Sequence, residues 1–285
     1  MAAETAIPVT SRGRARRRAA GWYVLLGVLS SLVLYPMWMT VVRAFSDPFI
    51  YLQEGQPFLP TAIDWGVFRT AWSDGALGQA MALSVLIAVL ITVAQLVTSV
   101  AAAYAFAYLR FPLKNVLFVL LLASLLLPIE VTLLANIQTI RELEWLNSIQ
   151  GLVVPFTASA FGIFLLRQGF LGVPSELRDA ARLDGFGHLG FMWRVALPTN
   201  RPIVGSFILI TALGAWNSYL WPRTVVDQER WQTVQVALRS ISVERPERFN
   251  VGVAAALIAF LPILILLIVF QKQIIRGLTA GAVKG

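Results

Sequence analysis

Gly75-Ala-Leu-Gly-Gln-Ala-Met-Ala-Leu-Ser-Val-Leu-Ile-Ala-Val-Leu-Ile-Thr-Val-Ala-Gln-Leu-Val-Thr-Ser-Val-Ala-Ala-Ala-Tyr-Ala-Phe-Ala-Tyr-Leu109 runs without a formal charge. A bilayer core needs roughly 20 such residues, so this run is more than long enough to cross one. In lipid every backbone N–H and C=O must be satisfied within the segment or a closed barrel. Barrel strands are short and alternate apolar with polar residues, whereas this run is apolar throughout. The reading is a membrane-spanning helix.

Five more stretches read the same way: Ala19–Val42, Asn115–Ile129 (continuing past Glu130 to Ile140), Asn147–Leu166, Pro202–Pro222 and Asn250–Gln271. The whole chain is 58% hydrophobic and 13% charged, with a mean hydropathy of +0.72, which excludes an ordinary soluble domain. With the N-terminus in the cytoplasm, the inner segments carry fifteen Lys and Arg against four acids. The remaining segments carry eight basic and eleven acidic residues. That bias follows the positive-inside rule and places both termini in the cytoplasm. The net charge of +8 and the pI of 10.4 therefore reflect topology and not nucleic-acid binding.

The cluster Arg12–Arg18 stands directly before the first apolar run and reads as a topogenic signal against anionic lipid. The run after it is too long for a signal-peptide core and has no clear small-residue cleavage site, so an uncleaved first helix is expected. No cysteine is present, which removes disulfides, thiolate catalysis and cysteine metal sites. Ser46–Asp74 is the longest expected external loop; Trp65, Phe68 and Trp72 recur there at helical spacing and suggest a short interfacial anchor. Arg223–Phe249 is a second external segment, with mixed charges suited to a soluble partner. Pro36, Pro128, Pro155 and Pro262 fall inside apolar runs, where each removes a helical hydrogen bond.

One loop, residues 173–201, breaks the apolar pattern. Pro174-Ser175 reads as a helix start with Ser175 as N-cap, and Glu176 and Asp179 lie in the first turn where acids favour the helix dipole. Leu177, Ala180, Ala181 and Asp184 share a side by i, i+3, i+4 spacing, with Arg178 and Arg182 on the flank. Gly185 occupies the place of a left-handed cap that reverses the chain. A second short helix over about Gly187–Val195 offers Phe191 and Trp193 before Leu197-Pro198 stops it. By spacing alone this pair is equally an interfacial element on the inner membrane face or a docking element for a partner.

The segment Asp179-Ala-Ala-Arg-Leu-Asp-Gly185, with Leu197-Pro198 further on, resembles the Glu-Ala-Ala-x-x-Asp-Gly-Ala coupling loop of bacterial ATP-binding-cassette importer permeases. Here Asp179 stands for the usual Glu, and Phe186 for the usual Ala. Ala103-Tyr-Ala-Phe-Ala-Tyr-Leu-Arg-Phe-Pro-Leu-Lys114 is similar to the end of the second helix in sugar-importer permeases. Leu127-Pro-Ile-Glu-Val131 and Gly214-Ala-Trp-Asn-Ser-Tyr-Leu-Trp-Pro222 resemble the glycerol-3-phosphate importer permeases, and Gly277–Gly285 resembles the tail of the maltose type.

The resemblance implies an all-α polytopic protein of the bacterial cytoplasmic membrane. It would have six transmembrane helices, cytoplasmic termini and cytoplasmic coupling helices between the fourth and fifth. Its organisation is then a basic N-terminal segment 1–18, a transmembrane domain 19–276 and a cytoplasmic tail 277–285. Further implied are a second homologous permease, two copies of a cytoplasmic ATPase that carry the ATP and Mg, an extracytoplasmic solute-binding protein, and membrane lipid around the whole. Glu176, Asp179, Ala180, Ala181, Asp184, Gly185 and Pro198 would couple to the ATPase, and Gly277, Leu278, Thr279, Gly281 and Lys284 would reach its interface.

A solute path is sought among polar groups in the spans, since an ionisable residue there is costly. Glu130, Asn136 and Gln138 lie on one segment, and Trp216, Asn217 and Tyr219 on another. Stacking rings and amides suit a sugar or polyol, whereas Tyr219 and Trp221 equally fit an interfacial aromatic belt. His188, the one histidine, reads as a solvated loop residue. No lysine follows a glycine, so no phosphate-cradling P-loop exists, and no metal or nucleophile constellation is present. Neither an enzyme nor nucleic-acid binding is expected; a passive channel would have no use for a docking loop.

Overall fold

A computed structural model describes residues 12–61, 63–73, 76–244 and 246–282. Among the described residues the chain is helical, with no strand. In order the helices are α1 (Arg12–Phe45), α2 (Pro48–Gln53), α3 (Gly66–Ser73), α4 (Leu77–Tyr108), α5 (Lys114–Ser124), α6 (Ile129–Glu142), α7 (Ile149–Val153) and α8 (Ala160–Leu171). There follow α9 (Ser175–Leu183), α10 (His188–Phe191), α11 (Leu197–Thr199), α12 (Arg201–Trp216), α13 (Leu220–Val225), α14 (Val234–Glu244) and α15 (Phe249–Ala282).

Among the described residues, three helices are single, long and apolar enough to cross a membrane: Ala19–Phe45, Leu77–Tyr108 and Phe249–Gln271. Two further paths qualify only if a bend is allowed, 43° between Ile149–Phe156 and Ala160–Leu171, and 81° between His188–Thr199 and Arg201–Trp216. The expected third span, Asn115–Ile140, is not one helix. It divides into α5 and α6 around Leu125–Pro128, where Leu125, Leu126 and Leu127 donate back three residues instead of four. Pro128 has no N–H and drives the residue before it out of the helical region, which accounts for the break. The expected span Pro202–Pro222 also ends early, at Trp216, and resumes as α13. Asn217 turns its amide back onto Leu213 O at 2.9 Å, taking a carbonyl from its own helix.

The core is read along α4, which rises about 1.5 Å per residue. At its start, Leu77 packs with Ala44 of α1, Val67 and Ala71 of α3, Trp216, Val234 and the alanines Ala254, Ala255 and Ala259 of α15. In its middle, Ile87 and Ile91 meet Ile140, Leu152, Trp221 and Val225. Towards its end, Val100, Ala103 and Tyr104 meet Leu166, Phe170, Ala181, Phe191, Met192, Ala196 and Phe207.

Close approach of α8 to its neighbours rests on two glycines. A Cβ on Gly162 would meet Ser99 Oγ at 2.6 Å as well as the Phe207 ring, and one on Gly169 would meet Asn200 Oδ1 at 2.6 Å. Most of α1, by contrast, keeps its apolar side chains outward: Trp22, Leu32 and Val33 are all exposed, as a lipid-facing surface requires.

The expected outer loops carry more structure than the sequence suggested. Val67 and Ala71 form the buried face of α3, while Trp65 and Trp72 remain exposed, as the anchor reading expects. Within Arg223–Phe249, α14 buries Val234, Val236 and Ala237, and Ser84 Oγ of α4 accepts from Val234 N at 2.7 Å. This segment is a packed helix instead of a free loop.

Candidate functional site

Two arrangements stand out, one at the end of α4 and one along its middle. The first is built from α9 to α11. Helix α9 ends on a left-handed glycine, Gly185 at φ +80°. Phe186 N donates to Ala181 O at 2.9 Å and Gly185 N to Arg182 O at 3.0 Å, closing the double-bonded turn that reverses a helix at such a residue. The expected left-handed cap is therefore present. Nothing lies within 4 Å of where a Gly185 Cβ would stand, so its requirement is one of backbone conformation alone.

Other local expectations change. The N-cap of α9 is Pro174, with no side-chain cap bond, so Ser175 lies inside the helix instead of capping it. Leu197-Pro198 does not stop the second helix either: α10 runs through a π-helical turn, Met192–Ala196, into α11. Pro198 sits in the first turn of α11, where its missing N–H is tolerated, and the path turns at Asn200 instead. Asn200 is buried and donates from Nδ2 to Ala196 O at 2.9 Å.

The loop helices are fixed to the bundle from one side. Ala181, Phe191, Met192 and Ala196 are buried against Tyr104, Phe170 and Phe207. Ala181 thus faces inward, unlike its neighbour Ala180, because the apolar stripe straddles the edge of the bundle. Glu176, Asp179, Ala180 and Asp184 are exposed, and Leu183 is 90% exposed. Asp179 pairs with Arg182 at 3.7 Å, both open to solvent, which is worth little to stability. Leu189 and Trp193 are exposed as well, whereas Phe191, expected beside Trp193, is buried. His188 is exposed as expected, yet its Nδ1 lies 3.1 Å from Tyr104 Oη and its ring stands edge-on to that ring.

The second arrangement is a cavity of about 240 Å³ among α4, α7, α8, α12 and α13. Its polar lining is Ser84, Gln95, Ser159, Thr211, Ser218 and Thr233, and none of its lining residues carries a charge. Gln95 Nε2 donates to Phe156 O at 2.8 Å, and Thr98 Oγ1 to Thr157 O at 2.8 Å; Phe156 and Thr157 occupy the break between α7 and α8. Trp221 Nε1 donates to Gly151 O at 3.0 Å. These donors satisfy backbone that Pro155 and the break leave open. Thr233 Oγ1 is buried without a partner and borders the cavity.

The expected path residues are not gathered there. Trp216 is buried in the cluster at the start of α4, and Trp221 is core, edge-on to Phe156 at 5.7 Å, so the belt reading of Trp221 does not hold. Asn217 is exposed, with its amide on Leu213 and its Oδ1 accepting from Gln235 at 3.4 Å; Tyr219 is also exposed. Asn136 and Gln138 stand exposed on α6. The side chains of Glu130 and of Gly277, Leu278, Thr279 and Gly281, and the whole of Lys284, lie outside the described residues. Gln95, Thr98, Ser84 and Leu183 were missed. The signal for the first three was a polar residue within a run that is otherwise apolar.

Comparison with known proteins places this geometry in a family. Residues 95–280 match the model of the binding-protein-dependent transport system inner membrane component. The sn-glycerol-3-phosphate transport system permease protein UgpE of Yersinia enterocolitica is 34% identical over 263 residues, covering 90% of this chain and 93% of that one. The arabinooligosaccharides transport system permease protein AraQ of Bacillus subtilis is 34% identical over 182 residues, 64% of this chain and 65% of its own. The fold matches that of a bacterial ABC transporter involved in import of the acidic polysaccharide alginate, with a TM-score of 0.80 at 24% identity, over 93% of this chain and 99% of that chain. These relatives are transport permeases and not enzymes. With its family model covering the loop helices and the cavity lining from Gln95 onward, the chain belongs to the binding-protein-dependent transport system inner membrane components, a family of bacterial membrane permeases.

Proposed function

We propose that the chain is one permease subunit of an ATP-driven importer for a sugar or a glycerol-phosphate-type solute, with α9 to α11 as its ATPase-docking element. The observation that carries this reading is the two-sidedness of α9: Ala181 is locked into the bundle while Leu183, on the other face, is left almost fully exposed. An apolar patch held rigidly on a charged loop is the form of a docking surface. The names of the relatives support the cargo class, glycerol 3-phosphate in one and arabinooligosaccharides in another.

In this reading six spans cross the membrane with both termini inside, the broken paths α5–α6 and α7–α8 counting as one span each. A second, homologous permease faces this one, and two ATPase subunits hold the ATP and Mg. A solute-binding protein delivers cargo from outside; a structure similar in fold is described in complex with an alginate pentasaccharide-bound periplasmic protein. The cavity around Gln95 and Thr233 forms part of the solute path, and Glu130, Asn136, Gln138, Trp216, Asn217 and Tyr219 remain candidates for contacts with cargo elsewhere along it. Segment 277–285 reaches the ATPase interface. Closure of the ATPases pushes α9, whose buried contacts carry the displacement to the ends of α4, α8 and α12.

The test is Leu183→Glu in the complex reconstituted with its ATPase and binding protein. ATPase copurification and ATP-dependent uptake of the cargo should both fall at least tenfold while the permease pair still assembles. Wild-type copurification and uptake would remove α9 from the docking role.

A further inference from the structure

Behind α9, on the side opposite Leu183, lies a recess of about 120 Å³ that neither the family reading nor the proposed cargo path uses. Successive residues of a helix are turned by about 100°, so Arg178, Ala181 and Arg182 share one face and Ala180 and Leu183 the other. Arg178 and Arg182 project on the face turned towards α4. The remaining wall is Tyr104, Tyr108, Phe186, Gly187, His188 and Phe191. No carboxylate lines the recess. Asp179 reaches only Arg182, from the solvent side.

Arg178 is the informative group. It is half-buried; its Nε is closed off and makes no hydrogen bond, so an acceptor in the recess is met by its Nη groups. A guanidinium is always charged, and a buried donor left unmatched is costly, so the arrangement lacks an acceptor. Tyr108 Oη is already committed, donating to Phe170 O. Tyr104 Oη and His188 Nδ1 are bonded to each other. Arg194 stacks on Phe186 at 5.0 Å, adding a third positive charge behind the wall. The recess is thus preorganised, cationic and of a size for a few heavy atoms.

We propose that this recess binds a phosphate group, held by Arg178 and Arg182 at the joint between α9 and α4. The guanidinium fork matches tetrahedral phosphate oxygens two at a time. The occupant is either a free phosphate or the headgroup of an anionic lipid, because the recess lies where α4 leaves its apolar run. When filled, it ties α9 to Tyr104 and holds the loop helices in one orientation. The site is thereby a regulatory one, independent of the cargo and of the solute path.

The experiment uses the purified transporter with its partner subunits. Orthophosphate is titrated calorimetrically in detergent, with acetate as control. It is repeated in discs of phosphatidylcholine, with and without phosphatidylglycerol. Saturable orthophosphate binding that phosphatidylglycerol leaves intact identifies a soluble phosphate. Orthophosphate binding suppressed by phosphatidylglycerol, or phosphatidylglycerol retained on the transporter in native mass spectra, identifies the lipid.

In either case Arg178→Gln should weaken binding at least tenfold, Arg182→Gln about threefold, and Arg178→Lys less than Arg178→Gln. Arg182 is exposed and serves as the folding-neutral variant. Binding by Arg178→Gln equal to wild type, or no Arg178-dependent binding of either probe, overturns the proposal. So does orthophosphate binding to the permease pair that disappears when the ATPase is added, since an acidic side chain of that partner would then be the acceptor.

Discussion

Two interruptions of the helical path solve the same backbone problem in different ways. Between α7 and α8 the freed carbonyls are met from afar, by Gln95 and Thr98 of α4, while Trp221 of α13 holds Gly151 just before the break. At the 81° bend before α12 they are met locally, by Asn200 on Ala196 and Thr199 on Val195. The first break exists only while α4 and α13 are in place, so it belongs to the bundle. The second carries its own bonds and keeps its shape if the loop helices shift, as a joint must. The two interruptions thus differ in where their replacement donors come from, one from other helices and one from within its own path.

The largest effect should come from crowding the rigid side. Gly162→Leu drives a side chain into Ser99 and the Phe207 ring, and overpacking of this kind costs about 1–3 kcal/mol or more. Most of the protein should aggregate on size-exclusion in detergent; a monodisperse variant with an unchanged melting temperature would break the comparison at its root. Next is Gln95→Leu, which strips the donor from Phe156 O. A lost interhelical bond in a membrane protein is worth roughly 0.6–1.7 kcal/mol, so thermal unfolding should shift down by a few degrees, and further with Thr98→Val added. Were the two changes to act independently, the break would not be one braced unit.

On the side of the loop helices, Gly185→Val forces a β-branched residue into a left-handed backbone and should strain the turn by roughly 1 kcal/mol. The permease should insert normally but recover less ATPase on copurification. Normal recovery and uptake would mean that the turn tolerates distortion. The smallest stability effect belongs to Asn200→Ala, because the carbonyl it releases, Ala196 O, still receives Asn200 N at 3.3 Å. Melting should scarcely move, while ATP-driven uptake in proteoliposomes falls more than melting alone accounts for. A stability loss equal to that of Gln95→Leu would erase the distinction between the two interruptions.

What the sequence made legible follows from short-range physics. Apolar length revealed α1, α4 and α15, and Gly185 was readable because a glycine after a charged helix has one common use. Continuity was harder. The run Asn115–Ile140 is apolar enough for a span, but apolar composition says nothing about whether Pro128 bends a helix or ends it. Ala180 and Ala181 look alike in sequence, and only the ring cluster of Tyr104, Phe170 and Phe191 turns one of them inward. Trp216 and Trp221 carry amphipathic rings that suit a solute or an interface equally. Their burial was decided by α15 and α7, far away in the chain. Gln95 and Phe156 are 61 residues apart, beyond any periodicity.

Arg167 gives one feature a consequence in time. It lies over the Phe118 ring at 4.2 Å and donates to Phe106 O at 3.2 Å, clasping α5 and the end of α4 to α8. Helix α5 buries none of its own residues, so this clasp is a main attachment. A ribosome adds about 5–20 residues per second, so α5 is synthesised roughly 2–10 s before its arginine. During that interval it rests on the insertion machinery or on lipid. Nascent chains halted before Arg167 should crosslink from α5 to lipid or to the insertase, and chains released beyond it should lose those crosslinks. Biogenesis of this permease therefore has a built-in waiting period, in which α5 holds to the end of α4 through Lys114 and the Phe106–Phe118 rings before Arg167 adds α8.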